Sequence, residues 1–152
     1  MTARNIVQTT FDEFGRASGF VKKSGSWYRR SAETIVVLNL QKSQYGPQYY
    51  VNAALWLLPL GEEQFPKEHK CHVRTRLDNL VPRDRERRVA ELFDLEAEME
   101  EGARRDELTT LLRSILPMLD ASATLEGLRS GDGERLIKAS LVRGPAQQLL
   151  AG

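Results

Sequence analysis

The chain has a single cysteine, Cys71, and two histidines, His69 and His72, among its 152 residues. A lone thiol excludes an internal disulfide and fits a reducing compartment. With no further Cys or His, soft ligands cannot complete a tetrahedral zinc set. No apolar run approaches the ~20 residues that a membrane-spanning helix needs; the longest, Ala53–Leu60, falls far short. The first twenty residues carry Arg4, Asp12, Glu13 and Arg16 and lack the apolar segment of a secretory leader. A soluble, cytoplasmic protein is therefore the expectation. Neither sign of charge dominates, since 22 Lys+Arg stand against 21 Asp+Glu for a formal net charge of +1. That balance excludes a protein held to nucleic acid or membrane by bulk attraction. Glycine-rich phosphate loops, nucleophile elbows, internal repeats and low-complexity tracts are also missing.

What is present suits one domain. Hydrophobic residues make up 41% and charged residues 28% of the chain, and a chain of this length can bury roughly 70% of its unfolded surface. The pattern predicts a single α+β domain over residues 1–143, with a loose tail over 144–152 after Gly144-Pro145.

Within that domain a first helix is predicted over residues 3–17, where Val7, Phe11 and Phe14 recur at helical spacing. Gly15 weakens it near its end and Gly19 stops it. A strand-rich half follows over residues 20–77. Phe20–Lys23 and Trp27–Arg30 flank Ser24-Gly25-Ser26 as a tight hairpin. Thr34–Ser43 and Gln48–Leu58 form the strongest strand pair, joined by Gln44-Tyr45-Gly46-Pro47. Leu60–Lys70 reads as a surface loop, and Cys71–Leu77 alternates as a further strand.

The half over residues 84–142 is helical. Asp84–Glu101 reads as one helix and Asp106–Leu119 as another, with Pro117 kinking or ending it. Ser122 caps a short piece, Gly131-Asp132-Gly133 makes a turn, and Glu134–Val142 forms a last helix. The mixed charges of residues 83–101 read as a solvated face. Helix, strand meander, helices: the order predicts an antiparallel sheet of four or five strands with helices packed on one face.

Alternate strand residues point to opposite sides, so the strands can be sorted by parity. One side collects Val36, Leu38, Leu40, Val51, Ala53, Leu55, Leu57, Val73 and Leu77, and belongs under the helices. The other collects Ile35, Val37, Asn39, Gln41, Ser43, Tyr50, Asn52, Ala54, Trp56, His72, Arg74 and Arg76. Trp27 and Arg29 are assigned to that second side from the hairpin. Amides, aromatics and guanidinium forks recognise planar or anionic groups directionally. The candidate partner-binding set is thus Trp27, Arg29, Asn39, Gln41, Tyr50, Asn52, Trp56, His72, Arg74 and Arg76. The plainer alternative is that these side chains bond only one another.

The run Gly19-Phe20, Trp27-Tyr28-Arg29, Asn39-Leu40-Gln41-Lys42-Ser43, Tyr49-Tyr50-Val51-Asn52, Cys71-His72-Val73-Arg74 and Arg76-Leu77 resembles the bacterial domain-of-unknown-function family 4304. The likeness extends from the first helix to about Leu119. It implies a small bacterial cytoplasmic α+β domain and no activity, so no catalytic residue carries over. An immunity-like or regulatory role is an analogy from other small families of this kind.

Chemistry at single residues is weakly supported. In a strand Cys71 and His72 point to opposite sides, which argues against a metal site with His69. Cys71 is expected in the core as an inert thiol. A Ser43–His72 pair lacks any supporting motif. Parity puts no carboxylate among the polar-face residues, so acid–base work has no donor there and no cofactor is implied. For the same reason Arg74 should keep an unbalanced positive charge for an anionic ligand or a partner's Asp or Glu. The expectation is a non-catalytic module that recognises a protein partner or an anionic small ligand. Two alternatives stand beside it: an enzyme with a His/Arg polar pocket, and weak single-stranded nucleic-acid binding on the sheet.

Overall fold

The computed structural model describes residues 4–152; position 3, where the first helix was expected to begin, lies outside them. Helix α1 spans Ile6–Ala17 and opens with a capping box: Asn5 accepts from the Gln8 amide and the Gln8 side chain accepts from the Asn5 amide. Its Val7, Phe11 and Phe14 stripe is buried, as the spacing required.

The sheet is antiparallel throughout, in the order β1 (Val21–Lys23), β2 (Ser26–Arg30), β3 (Thr34–Lys42), β4 (Tyr49–Leu57), β5 (Val73–Arg76), β6 (Leu141–Val142). The first hairpin turns through Ser24 at φ 51° and Gly25 at φ 86°, and two positive φ values give the twist that a two-residue hairpin favours. Six strands form instead of four or five, because Leu141–Val142 leaves the expected last helix and pairs with Val73 and Arg74.

The helical half is more broken than its periodicity suggested. Helix α2 covers only Glu86–Leu92, α3 Glu101–Ser114, α4 Leu116–Ala121, α5 Gly131–Lys138 and α6 Gly144–Ala151. Pro117 sits in the first turn of α4, where its missing N–H costs nothing. Ser122 closes α4 and does not open a new helix. The expected loose tail is α6, whose Ala146 is fully buried.

Two interactions end α2 early. The Phe93 carbonyl accepts from the Tyr49 amide, and the Leu95 amide donates to Pro47, so the chain pairs with the start of β4. Arg104 then holds it there. This guanidinium is 3% exposed and donates to the carbonyls of Glu91 (2.9 Å), Leu92 (2.7 Å), Asp94 (3.0 Å) and Ala97 (2.6 Å).

The main core lies between the sheet and the helices and takes in all nine residues that parity assigned to that side. Trp27 is there too. It pairs with Leu38, packs on α1, and donates its indole N–H to buried Asp12 at 3.3 Å. Arg29 shares this side: it donates to the Ser18 carbonyl and to Asp120, and its guanidinium lies over Phe20. Strand parity alone expects both on the open face. The two-residue turn sets a register that puts Tyr28 and Arg30 there instead.

Gly15 is what lets Trp27 pack so closely. A Cβ at that position would stand 2.7 Å from the indole Cδ2. Gly15→Ala should therefore destabilise the fold, since overpacking costs about 1–3 kcal/mol against a helix-propensity gain of about 1 kcal/mol. Urea unfolding of the variant measures the net effect, and an increase in stability would refute the packing argument. Arg104→Met should cost more, because the Leu92 and Ala97 carbonyls lose their donor, while those of Glu91 and Asp94 still accept from the Asp94 and Ala97 amides, and each buried unsatisfied group costs about 1–3 kcal/mol. A loss within about 0.5 kcal/mol, the range of ordinary surface substitutions, would show that water replaces it freely.

Candidate functional site

The face opposite the helices divides into two regions. Near the β3 start, Tyr28, Ile35, Val37, Ala54 and Cys71 form a second, smaller core, flanked by Trp56 and Leu58. The connection between β4 and β5 lies over it. Phe65 meets Tyr28 edge-on at 5.2 Å, Pro66 is buried, and the Trp56 indole donates to the Gly61 carbonyl at 2.8 Å. The loop predicted over 60–70 is thus a lid on apolar residues and not a free crossing.

Three residues lie under that lid and away from their expected surroundings: Cys71, Trp56 and His72. Cys71 is fully buried, but in this second core, because it precedes the ladder of β5. Burial pushes its thiol up to about 12, so it is inert as a nucleophile at neutral pH. The His72 and Trp56 rings pack at a tilt of 44° with centroids 4.2 Å apart, and His72 Nδ1 accepts from the Leu57 amide at 2.9 Å. Burial, reinforced by the charge of Arg143, lowers the His72 pKa. His72 is therefore a neutral, structurally engaged ring, and His69, Cys71 and His72 form no metal-holding cluster among the described residues.

Farther along β3 and β4 the lid stops and the polar side chains lie open. Asn52, 7% exposed, is the hub. Its Nδ2 donates to Asn39 Oδ1 (3.2 Å) and Gln41 Oε1 (3.0 Å), and its Oδ1 accepts from Arg76 Nε (3.3 Å). The register explains the set: Asn39 faces Asn52, and Asn52 faces Arg76. The Arg76 guanidinium also lies over the Tyr50 ring at 4.6 Å. Sequence parity therefore brings together Asn39, Gln41, Tyr50, Asn52, Arg74 and Arg76, and leaves Trp56 and His72 under the lid.

Of these, Gln41, Asn52, Arg74 and Arg76 line a groove of about 660 Å³, together with Glu68, Asn79, Arg83, Glu86 and Lys138. Parity places no carboxylate on this face, but the fold does: a 3₁₀ turn over Glu68–Lys70 swings Glu68 in, and α2 supplies Glu86. Arg74 spans Glu68 with Nε to Oε1 at 3.1 Å and Nη2 to Oε2 at 3.4 Å. Its charge is thus balanced within the chain. Lys138 pairs with Glu134 at 3.0 Å. Among the described residues, Arg76 and Arg83 have no carboxylate within ion-pair reach. Against them stands only Glu86.

Glu68, Arg83 and Glu86 escaped sequence reasoning because they come from a loop and a helix that no strand parity addresses. The single available signal was the run of charge at residues 83–88, which reads equally as a solvated face.

Residues 11–121 match the family described as Domain of unknown function (DUF4304), and the chain belongs to that family. No curated protein and no solved structure matches the chain. No helix among the described residues is long and apolar enough to cross a membrane.

The His72 geometry fixes a pH dependence. A histidine whose folded pKa lies below its ordinary value of 6.5 adds stability above that value. The contribution is lost as pH falls through 6.5, because the unfolded chain then takes up the proton first. Unfolding free energy should drop between about pH 7 and pH 5, by at most about 1.4 kcal/mol per pH unit. His72→Asn keeps an acceptor for the Leu57 amide without titrating, so its curve should be flatter over that window. Superimposable slopes in chemical denaturation would show that another group carries the effect.

Proposed function

We propose that this domain is a non-catalytic recognition module that binds an anionic group, carried by a protein partner or a small ligand, in the groove around Arg76. One observation carries the reading. Arg76 is oriented by Asn52 and by the Tyr50 face, yet it has no carboxylate of its own chain among the described residues, whereas the neighbouring Arg74 has Glu68. A guanidinium that is already oriented loses little entropy on binding, which favours affinity. A bacterial, cytoplasmic setting with an immunity-like or regulatory role completes the reading, and the buried free thiol supports a reducing compartment.

The alternatives have less support. The enzyme alternative rests on a His/Arg polar pocket, and His72 packs against Trp56 with its Nδ1 engaged, outside the groove that Arg76 lines. A base-stacking platform would need Trp27 and Trp56 beside Tyr50, and they lie in the main core and under the lid.

The test is a titration of the full chain with sulfate, phosphate, citrate and a glutamate-rich peptide, followed by amide and side-chain NMR shifts at low ionic strength. Shifts should converge on Gln41, Asn52, Arg76 and Arg83. Arg76→Met should weaken binding by about tenfold or more, the scale of a charge-assisted hydrogen bond. Scattered shifts, or none, would remove the proposal.

A further inference from the structure

Resting on that reading of the groove, we infer that its ligand group is a carboxylate, a planar single negative charge, and not a phosphate. Three features of the site carry this, and they are independent of one another.

The first is the part of Arg76 left free. Its Nε is taken by Asn52 Oδ1 at 3.3 Å and one face by Tyr50 at 4.6 Å. The two Nη groups remain, side by side in one plane. Such an end-on fork donates to both oxygens of a carboxylate. Gln41 adds a neutral donor beside it: its Oε1 is used by Asn52, which leaves its Nε2 to donate into the groove that it lines.

The second is charge. Arg74 is balanced by Glu68 and Lys138 by Glu134, so Arg76 and Arg83 against Glu86 leave one net positive charge in the groove. A monoanion neutralises that. A phosphate near neutral pH carries about −1.5 to −2, and its excess charge would share the groove with Glu68 and Glu86.

The third is the backbone. Phosphate sites commonly use a nest of free N–H groups at a glycine-rich turn or a long helix N-terminus. Here the far wall is Lys138–Leu141, just after the C-terminal end of α5. The Leu136 and Ile137 carbonyls there accept from Ser140, but the helix end keeps its partial negative charge, which penalises a dianion more than a monoanion. Thr75 Oγ1 donates to the Ala139 carbonyl (2.7 Å) and does not remove the dipole.

The same groove holds an internal precedent. Arg74 grips the carboxylate of Glu68 through two nitrogens, only two residues along the strand from Arg76. The sheet thus presents two forks on one face, one filled by the chain itself.

The experiment compares acetate, glutarate, a glutamate-rich peptide and inorganic phosphate on the full chain at constant ionic strength, with chloride as the reference salt. The readout is the Arg76 Nε–H and Gln41 side-chain NMR signals. The carboxylates should bind about tenfold more tightly than phosphate, and Arg76→Lys, which keeps the charge but loses the fork, should abolish that preference. Tighter binding of the peptide than of glutarate assigns the carboxylate to a protein partner. Equal binding assigns it to a small ligand, and either supports the inference. Phosphate equal to or tighter than the carboxylates overturns it while leaving anion recognition standing. If no anion moves the Arg76 signals, both this inference and the groove reading fall. Where the Arg76→Lys protein is unfolded by circular dichroism, the wild-type ratio of carboxylate to phosphate affinity decides alone.

Discussion

The first half of β3 is buried on both sides, and the architecture follows from that constraint. Thr34, Ile35, Val36, Val37 and Leu38 are all at most 2% exposed. A strand with no solvated face needs cover above and below. Helices α1 and α3 to α5 supply one layer. The other cannot be a helix, because the connection from Leu57 to Val73 holds only short 3₁₀ turns. A lid of irregular chain does the work, fixed by the Trp56 indole on Gly61, by Phe65 on Tyr28 and by the Cys71 thiol on the Lys67 carbonyl. Every lid residue also needs its backbone satisfied, and the 3₁₀ turn over Glu68–Lys70 meets part of that need while delivering Glu68 to Arg74. The candidate site begins where this cover ends.

Much of this was legible in the sequence, and the physical limits of the reading are specific. Strand parity found the helix-facing side because β3 and β4 are long and their register is unbroken across nine pairs. It also grouped Asn39, Gln41, Tyr50, Asn52, Arg74 and Arg76, which do share a face. Parity fails at chain segments that only approximate a strand. Trp27 and Arg29 fell on the wrong side because a short hairpin strand takes its register from the turn, and no alternation in SWYRR discriminates the sides. Ile35 and Val37 were filed with polar neighbours because a two-sided core removes the alternation itself.

The helical half was harder to read for a different reason. Periodicity in Val89, Leu92 and Phe93 is real, and all three are buried. Yet the helix that carries them stops at Leu92, because Phe93 and Leu95 hydrogen-bond to the start of β4. Periodicity reports which residues are buried, not where a helix ends. Arg104 was equally invisible: a buried arginine serving four backbone carbonyls looks in sequence like any charged helical residue. Its partners sit 7 to 13 positions away, on no fixed helical spacing.

The groove itself is a product of chain order. After β5 the chain leaves the sheet, builds most of the helical layer, and returns as β6 only at Leu141. So short a strand covers Val73 and Arg74 and stops, which leaves the Arg76 end of β5 without a strand beside it. The cationic floor of the groove, with Arg74, Arg76 and Arg83, lies within the residues that match the family, whereas the wall at Lys138–Leu141 lies beyond them. The guanidinium floor and the outer wall of this groove therefore come from separate parts of the chain. Under the proposed reading, the first part determines that an anion is bound, and the second limits what the anion is attached to. Apart from the exposed Leu141, the side chains forming that outer wall are short or flexible. Ala139 and Ser140 offer little bulk, and Lys138 is held aside by Glu134. Such a wall restricts the approach to the Arg76 fork weakly, so selectivity must come from the fork and its neighbours, Gln41 and Asn52, more than from steric exclusion.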